Sequence, residues 1–412
     1  MRRRRITSGS CALRIFAAAL AFGVAASAAG QDKTHAGHDQ AKKQATQRRP
    51  PPLAIDAAFA PDGRLWLVAL DERRRLTLLH SRDEGRTWSA PLTLDTGTDY
   101  IAATGENRPR LALGPDGKMV IVYAFEFTQP GVKRHAGEVR ALRSDDGGRS
   151  FFAPVTIHRD RQVIAHSFPS TMFDAKGVLH TFWIDKRDAE AATGARYLGS
   201  AVYRNVSTDG GRTFGADTKL ADHACECCRI ALAPDGKGGL AALWRHVFEG
   251  NVRDHAFARI GTTDATPAVR ASFDRWKIEA CPHHGPGLTP AEDGGYHAVW
   301  FGERDGRAAV RYGRLGADGA PHGDVRELPD DAAEHADVLS AGKNVVIAWR
   351  SYDGRQMALR AMVSADDGKT FTARELGTTP DDNDYAKLVR KGDQIYVFWR
   401  TAREIRVERV TP

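Results

Sequence analysis

Short apolar runs alternate with polar turns along most of the chain from about residue 53 onward. Seven stretches share one layout: an apolar strand, a turn of the Pro-Asp-Gly kind, and a second strand that ends in Trp or another large residue. These stretches cover residues 58–70, 111–125, 172–185, 230–246, 288–301, 338–352 and 388–401. Paired apolar strands that recur roughly every 50–60 residues predict an all-β chain built from repeated antiparallel units.

A second repeat is interleaved with the first. Four segments read Ser-x-Asp-x-Gly-x-Thr (or Ser) followed by an aromatic residue, and they begin at Ser81, Ser144, Ser207 and Ser364. The Asp carboxylate of such a turn accepts backbone N–H groups, the Gly takes a positive φ, and the aromatic ring packs under a sheet.

This pattern resembles the Asp-box of the sialidase-like β-propellers, and the resemblance extends over nearly the whole of residues 53–412. It implies a β-propeller whose blades are four-stranded antiparallel sheets. The count of repeated units favours seven blades, with six blades, as in classical sialidases, as the alternative. Because the box is a structural element, the resemblance indicates the fold and not the activity.

The N-terminal residues have the features of an export signal. A basic segment, Arg2 to Arg5, precedes an apolar stretch, and Ala26-Ser27-Ala28 is a small-x-small cleavage site. The organisation that we expect is a signal peptide at 1–28, a flexible tail at 29–52 that contains His35 and His38, and a single propeller domain at 53–412. The expected location of the mature protein is the periplasm.

Charge and hydropathy exclude two classes of partner. The formal net charge of +7 falls to about +2 when the five arginines of the expected signal peptide are removed. No basic stripe with interleaved aromatic residues predicts a nucleic-acid surface. No later segment approaches the ~20 apolar residues that span a bilayer. We therefore expect neither a nucleic-acid partner nor a membrane span.

Every cysteine of the expected mature chain lies in one of two short motifs that open adjacent units. The first is Cys225-Glu226-Cys227-Cys228, and the second begins at Cys281 and ends in two histidines. Thiolates and imidazoles together select Cu(I), Zn(II) or an iron centre over magnesium or calcium. The metal ligands that these motifs predict are Cys225, Cys227, Cys228, Cys281, His283, His284 and His223.

Aligning the units on the large residue that ends their second strand adds further candidates. Glu106, His166, Cys227 and His283 each stand 17 residues before that residue, while His335 and Asp384 stand 14 and 15 residues before theirs. We therefore expect His166 and His335 to face the same funnel as outer ligands. The tail histidines His35 and His38 resemble the ion-capturing tails of exported copper-handling proteins.

The function that follows is an exported propeller that binds copper, with Cu(I) favoured and zinc as the other metal, for capture, storage or delivery. Its partners would be the metal ion and a protein that donates or accepts it. A copper redox enzyme is an alternative that no sequence feature separates from a binding protein. If the cysteines instead form disulfides, which are common in exported proteins, the chain is a disulfide-stabilised protein-interaction propeller.

A glycoside hydrolase of the sialidase type is the remaining alternative. Arg245, Arg350 and Arg400 each follow a Trp at the end of a second strand and could together hold a carboxylate. The chemistry would also need a Tyr–Glu nucleophile pair and an acid. The candidates are Tyr352, Glu303 or Glu249, and Asp56. The Arg-Ile-Pro signature of true sialidases is absent from the first strand.

Overall fold

Antiparallel strands form almost all of the regular structure in the computed structural model, which describes residues 53–193 and 197–411. The strands of the first half are β1 (Asp56–Phe59), β2 (Leu65–Leu70), β3 (Leu76–Ser81), β4 (Leu92–Thr93), β5 (Tyr100–Ala102), β6 (Arg110–Leu113), β7 (Met119–Glu126), β8 (Gly137–Ser144), β9 (Val155–Thr156), β10 (His166–Phe173), β11 (Leu179–Asp185), β12 (Ser200–Ser207) and β13 (Thr218–Ala224). The strands of the second half are β14 (Ala231–Pro234), β15 (Leu240–Phe248), β16 (Val252–Ile260), β17 (Val269–Arg270), β18 (Gly287–Pro290), β19 (Tyr296–Arg304), β20 (Arg307–Leu315), β21 (Pro321–Glu327), β22 (Ala333–Ala341), β23 (Asn344–Tyr352), β24 (Met357–Ser364), β25 (Thr372–Thr379), β26 (Lys387–Lys391), β27 (Gln394–Arg400) and β28 (Ile405–Arg409). A short helix, Arg187–Ala191, and a 3-10 turn, Pro115–Gly117, are the helical elements of the described ranges.

Neighbours in sequence are neighbours in the sheets. β1–β4, β18–β21 and β22–β25 are four-stranded antiparallel meanders, β26–β28 is a three-stranded one, and β5 and β6 both pair with β7 in the sheet that continues to β9. The largest sheet joins the strands β10–β13 to β14–β17 through the single residue pair Ala224 and His246. The all-β, four-stranded antiparallel prediction is confirmed.

One cavity of about 350 Å³ is lined by a strand from each group of paired strands. These inner strands are β1, β6, β10, β14, β18, β22 and β26. Each lies against the next in this order, and β26 lies against β1. The large residues that end the second strands pack between the groups, and Trp183, Trp244, Trp349 and Trp399 are completely buried there. Burial of these aromatic side chains is the main favourable contribution to packing of one group on the next.

The four repeated turns have the same hydrogen bonds. In the first, the Gly85 N–H donates to Ser81 Oγ over 2.8 Å, and the Thr87 N–H and hydroxyl donate to the two Asp83 carboxylate oxygens over 2.8 and 2.6 Å. Gly85 has φ +88°, a conformation that disfavours any residue with a Cβ. Each turn joins the third strand of its group to the fourth, as the sequence predicted.

The first and last strands are held together by polar contacts. The Ile55 N–H donates to Asp384 Oδ2 over 3.0 Å, and the same carboxylate pairs with Arg108 over 2.7 Å. Lys387 on β26 pairs with Asp56 on β1 over 2.6 Å. We call these five residues the seam, because they join the two ends of the described chain.

The described residues belong to one compact unit, 50–412. The expected signal peptide and the tail that carries His35 and His38 lie outside the described residues. Within the described ranges, no helix is long and apolar enough to cross a membrane.

Candidate functional site

Three cysteines of the loop between β13 and β14 converge on one point. The Sγ atoms of Cys225, Cys227 and Cys228 are separated by 3.6 Å (Cys225 to Cys227), 3.9 Å (Cys227 to Cys228) and 3.8 Å (Cys228 to Cys225). We call this arrangement the cysteine triangle. All three side chains are buried, at 1–3 % exposure. All four cysteines of the described ranges, including Cys281, are free thiols, since a disulfide would bring two sulfurs to about 2.05 Å.

Backbone hydrogen bonds and one ion pair fix the loop that carries the triangle. The Cys225 N–H donates to the Arg245 carbonyl over 2.9 Å, which continues the pairing of β13 with β15. At the other end of the motif, Arg229 N–H and Nη1 donate to the two carboxylate oxygens of Glu106 over 3.1 and 2.8 Å. Both ends of the four-residue motif are therefore anchored, and the sulfurs are held in place between them.

Positive charge surrounds the triangle. Arg253 Nη1 donates to Cys225 Sγ over 3.3 Å, and the guanidinium of Arg245 is buried close by. The thiols of Cys227 and Cys228, together with these two arginines, hold the pKa of Cys225 well below the usual value for a thiol. The pKa values of Cys227 and Cys228 are raised, that of Cys227 mainly by its contact with Cys225 and that of Cys228 mainly by burial.

The fourth cysteine stands outside the triangle. Cys281 is exposed, and its sulfur does not belong to the group formed by the other three. Cys227, Cys281, His283 and His166 all line one cleft of about 400 Å³, to which we refer as the cleft. The structure therefore brings three of the four predicted thiolates into one group and leaves Cys281 and His283 at its approach.

The remaining predicted ligands lie elsewhere. His335 Nδ1 is 3.3 Å from Glu106 Oε1, and its ring is stacked between those of His284 and Tyr385, with centroid distances of 4.1 and 3.5 Å. Burial and the neighbouring His335 lower the pKa of His284 to about 3. His284, His335 and Glu334 present possible ligand atoms within 4.8 Å of one another. The two imidazole rings are stacked with nearly parallel planes, so their in-plane lone pairs lie in separate parallel planes, which is a poor geometry for sharing one ion.

His166 and His223 are engaged by protein groups. His166 Nδ1 donates to the Gly137 carbonyl over 2.9 Å, and its Nε2 lies 3.3 and 3.6 Å from the carboxylates of Asp160 and Asp185. Arg187 pairs with Asp185 over 2.7 Å, so a cation already balances this group. His223 Nδ1 accepts the Leu198 N–H over 3.2 Å. Neither histidine belongs to the cysteine triangle.

Strand register corrects the alignment that was based on fixed spacing. His166 pairs with Asp185, which lies two positions after Trp183, and Ala333 pairs with Ser351, which lies two positions after Trp349. His166 and Ala333 therefore occupy equivalent positions in their units. His335 is therefore two positions out of step with His166. Its true equivalent is Phe168, because β10 and β22 have the same bulge at this point.

The register defines two levels around the central cavity. Six inner strands each have one residue that pairs with the residue just before the large residue: Arg110, Ser170, Ala231, Gly287, Asp337 and Lys387. Four residues before these stand the members of the first level: Glu106, His166, Cys227, His283, Ala333 and Asn383. Two residues before the same paired residues stand the members of the second level: Arg108, Phe168, Arg229, Gly285, His335 and Tyr385. Asp384 lies between the levels and belongs to the seam. The second level supplies most of the groups around Glu106. Gly285 lacks a side chain there because a Cβ would come within 2.3 Å of Arg229 and 2.7 Å of Glu106.

We call Glu106, Arg229 and His335 the central cluster. Burial raises the pKa of Glu106, but the charge of Arg229 and the hydrogen bond from His335 outweigh it and hold the pKa below its ordinary value. Arg229 also donates to the Pro286 and Ala336 carbonyls over 3.1 and 2.9 Å. Its side chain thus closes the space between the inner strands immediately after the cysteine motif.

Two of the three arginines that could have held a sugar carboxylate are already bonded to the protein. Arg245 donates to the Arg253, His284 and Phe301 carbonyls, and Arg350 pairs with Glu334 over 2.7 Å. Arg400 is the member of the three whose Nη1 has no hydrogen-bond partner.

The acid proposed for a sialidase is also engaged. Asp56 pairs with Lys387 and accepts the Leu111 N–H over 2.8 Å. Burial raises its pKa, but Lys387 and Arg110 outweigh that effect and lower it, so this carboxyl is a poor proton donor. The predicted nucleophile Tyr352 is on the exposed end of β23.

Four residues near the site that the sequence argument did not single out contribute to it: Arg253, Arg229, Phe168 and Tyr385. Arg229 directly follows the cysteine motif and Arg253 lies in the β-hairpin after it, so their sequence positions were a usable signal. Phe168 and Tyr385 could be found only from strand register.

Comparisons with known proteins identify the fold. No protein-family model matches the chain, and no curated protein matches its sequence. An ulvan lyase of a polysaccharide lyase family, solved bound to -[GlcA(1-4)Rha3S]-, is 11 % identical with a TM-score of 0.56, over 87 % of this chain and 92 % of that one. The polysaccharide lyase Uly1 is 10 % identical with a TM-score of 0.53, over 90 % and 95 %.

An α-L-arabinofuranosidase from Fusarium graminearum, solved with an iminosugar inhibitor, is 12 % identical with a TM-score of 0.50, over 76 % of this chain and 92 % of that one. At such identities the likeness shows the fold alone. The chain therefore shares its overall fold with these three proteins.

Proposed function

We propose that this protein binds Cu(I) at the cysteine triangle. The observation that supports this proposal is the cysteine triangle, whose sulfur atoms are 3.6–3.9 Å apart. A metal held by three sulfurs at about 2.3 Å requires the sulfurs to be about 3.8–4.0 Å apart. Three thiolates from one short loop that is anchored at both ends thus need little movement to surround an ion.

Coordination number and charge favour Cu(I) over zinc. Zinc in structural sites almost always has four ligands, whereas the triangle offers three and its nearest further thiol, Cys281, is exposed outside it. Cu(I) with three thiolates carries a net charge of −2. Arg245 and Arg253, the two guanidinium groups next to Cys225, balance that charge.

The role that we propose is capture, storage or delivery of copper in the periplasm, with a metal-donor or metal-acceptor protein as partner. His283, at the cleft, is an accessory residue in this proposal, while His284, His223, His166 and His335 are not ligands of the triangle. The tail histidines His35 and His38 would collect ions.

The experiment is metal analysis with free-thiol titration of mature protein purified from periplasm after growth in copper. We expect close to one copper per chain and its loss when Cys225, Cys227 and Cys228 are replaced by serine. Ser167→Ala, at the cleft but without a thiol, is the matched control and should retain copper. Protein with no metal and no reactive thiols, or copper that survives the triple substitution, would contradict the proposal.

We also propose a seven-bladed propeller. The support is that the seven inner strands line a single cavity and that each lies against the next, including β26 against β1. In this arrangement β14–β17 is a blade of its own, joined to its neighbour by one residue pair. An experimental structure of residues 53–412 that has six blades would overturn this count.

A sugar-active enzyme is the second candidate function. The named structural neighbours are lyases and a glycosidase by their descriptions, so the comparisons bear on this alternative and not on copper. The central cluster supports it with a buried carboxylate next to an imidazole, and with Tyr385 stacked on that ring. Such groups could move a proton on a bound sugar acid.

This candidate is tested with two substrates, a fluorogenic sialoside and an acidic polysaccharide of the ulvan type. Fluorophore release, or new absorbance from an unsaturated sugar, that disappears in His335→Ala would establish the enzyme. Equal signals from the native protein and that variant, or no signal from either, would eliminate it. The bonded states of Arg245, Arg350 and Asp56 argue against a sialidase in particular.

A further inference from the structure

The cleft is the side from which solvent reaches the cysteine triangle. Cys227 and Cys281 both line it, whereas Cys225 and Cys228 do not. Cys227 is 3 % exposed and Cys281 is exposed, so the two cysteines that line the cleft lead from solvent to the buried group. Its volume of about 400 Å³ is at the small end of the range for small-molecule sites.

Phe168 covers the rest of the triangle. Its ring packs against Cys225, Cys227 and Cys228, and it also lines the cleft. The residue has φ +55°, an unfavourable conformation for a bulky side chain, and its N–H is held by Asn107 Oδ1 over 3.0 Å. The bulge therefore places an apolar ring against the cysteines at the cost of backbone strain, and Cys227 is the member of the triangle that lines the cleft.

The other cleft residues suit a soft-metal complex. His283 is exposed beside Cys281, in a segment where it has φ +55°. Lys186 pairs with Glu226 of the cysteine motif over 3.1 Å, and Lys133 pairs with Glu190 over 2.5 Å. The mouth thus carries both signs of charge, as would suit a ligand that has both amino and carboxylate groups.

We propose that Cys281 is the receiving ligand for copper: it accepts Cu(I) from a low-molecular-mass thiol complex bound in the cleft and passes the ion to Cys227. This inference rests on the proposed function of the triangle. In the first exchange, the bond from Cu(I) to the donor sulfur breaks, a bond to Cys281 Sγ forms, and the Cys281 proton passes to the donor sulfur. In the second, Cys227 replaces Cys281 and gives it its proton, and Cys228 releases its own proton to solvent as it binds the ion. Copper remains Cu(I) throughout.

The test follows loading of the apo-protein from the Cu(I)–glutathione complex under argon, by the thiolate-to-copper absorbance in a stopped-flow instrument. Cys281→Ser should reach the same copper content as the native protein, with a loading rate lower by about tenfold or more. Cys281→Met, which retains a soft sulfur, should load faster than Cys281→Ser. Ser167→Ala, in the same cleft, should load at the native rate.

Three results would overturn the inference. Cys281→Ser that loads as fast as the native protein removes the receiving role. A lower copper content, or fewer copper–sulfur bonds by X-ray absorption, in that variant would make Cys281 a permanent ligand instead. Cys281→Met that is as slow as Cys281→Ser would show that the sulfur is not what matters. The proposed function fails separately, if native protein takes up no copper at all.

Discussion

At the scale of the residue, Arg253 decides how well the triangle tolerates negative charge. Its Nη1 is 3.3 Å from Cys225 Sγ, and with Arg245 it balances the charge that three thiolates and Cu(I) would carry. Arg245 also donates to three backbone carbonyls, so its replacement would disturb the fold as well. Arg253 is the better residue for a test of charge.

We predict that Arg253→Gln weakens Cu(I) binding by about tenfold, the equivalent of roughly 1.4 kcal/mol. Arg253→Lys keeps the positive charge and should stay within about threefold of the native affinity. Competition with a chromophoric Cu(I) chelator measures both. Equal loss in the two variants would mean that the guanidinium shape, and not its charge, is required.

Glu106 is the residue on which the anchoring of the cysteine motif depends. It is 1 % exposed and pairs with Arg229 over 2.8 Å, so removing the carboxylate leaves a guanidinium with a buried, unbalanced charge. We predict that Glu106→Gln lowers the free energy of unfolding by about 3 kcal/mol. Urea denaturation at neutral pH measures this change.

An exposed ion pair provides the control for Glu106. Asp331 pairs with Arg307 over 2.7 Å at the surface, and Asp331→Asn should change stability by less than about 1 kcal/mol. A Glu106→Gln protein that is as stable as this control would show that the central cluster contributes nothing to the fold.

At the scale of the element, the repeated turn makes stability depend on pH. Burial works against ionisation of Asp209, but hydrogen bonds from the Thr213 hydroxyl and N–H and from Ser207 lower its pKa to about 2, against 3.8 for an ordinary Asp. A carboxylate with a lowered pKa stabilises the fold above the ordinary value. That contribution is lost as the pH falls from about 4 to about 2.

We predict that Asp209→Asn lowers the melting temperature at pH 7, and that its difference from the native protein narrows as the pH falls below about 4. Thermal unfolding by circular dichroism at pH 7, 5, 4 and 3 measures the trend. Asp324→Asn, at an exposed position of β21, is the matched control and should follow the native protein at every pH. If the difference in melting temperature between Asp209→Asn and the native protein were the same at every pH, the charge of Asp209 would not be the cause, and the prediction would be wrong.

The turns were also the elements that the sequence predicted best. Their geometry is local: a Ser, an Asp, a Gly and a Thr within seven residues contain every donor and acceptor that the turn needs. The cysteine triangle was predictable for the same reason, because its three sulfurs come from four consecutive residues. Cys281 was expected in that group, but its own loop leaves it exposed.

The alignment of the histidines failed because it depended on contacts between strands. Counting residues back from Trp183 and Trp349 made His166 equivalent to His335. The pairing of β10 and β22 with their neighbours instead makes Phe168 the equivalent of His335. Both strands contain the same bulge, so the error came from the variation in turn length that the count allowed: Ala333, the equivalent of His166, stands 16 residues before Trp349, and His335 stands 14 before it. The hydrophobic pattern therefore predicted the strands, but it could not predict on which of the two levels each side chain lies.

At the scale of the whole molecule, the seam holds the beginning of the described chain to its end. Asp384 is the centre of the seam, because it accepts from Ile55 and pairs with Arg108, residues 329 and 276 positions away. Contacts between the first and last inner strands close the path of the chain around the cavity. Such a closure stabilises every unit, since none can then unfold from a free end.

We predict that Asp384→Ala lowers the free energy of unfolding by about 3 kcal/mol or more and exposes the first strand to trypsin. Limited proteolysis with mass spectrometry should show early cleavage near Arg64. Asp382→Ala, exposed and two residues away, should be cut no faster than the native protein. If Asp384→Ala unfolded as a whole and trypsin showed no preference for the first strand, the proposal that the seam holds this strand in place would be contradicted.

The two levels around the cavity have a consequence for how such a molecule diversifies. Six of the seven units supply one residue to each level, and the six second-level residues include Arg, Phe, Gly, His and Tyr. If the units arose by gene duplication, one ancestral position now exists in several copies, and the side chain of each copy can change independently of the others. In protein design, the residues of the two levels could be replaced to create a new site while the repeated turns and the buried tryptophans are kept.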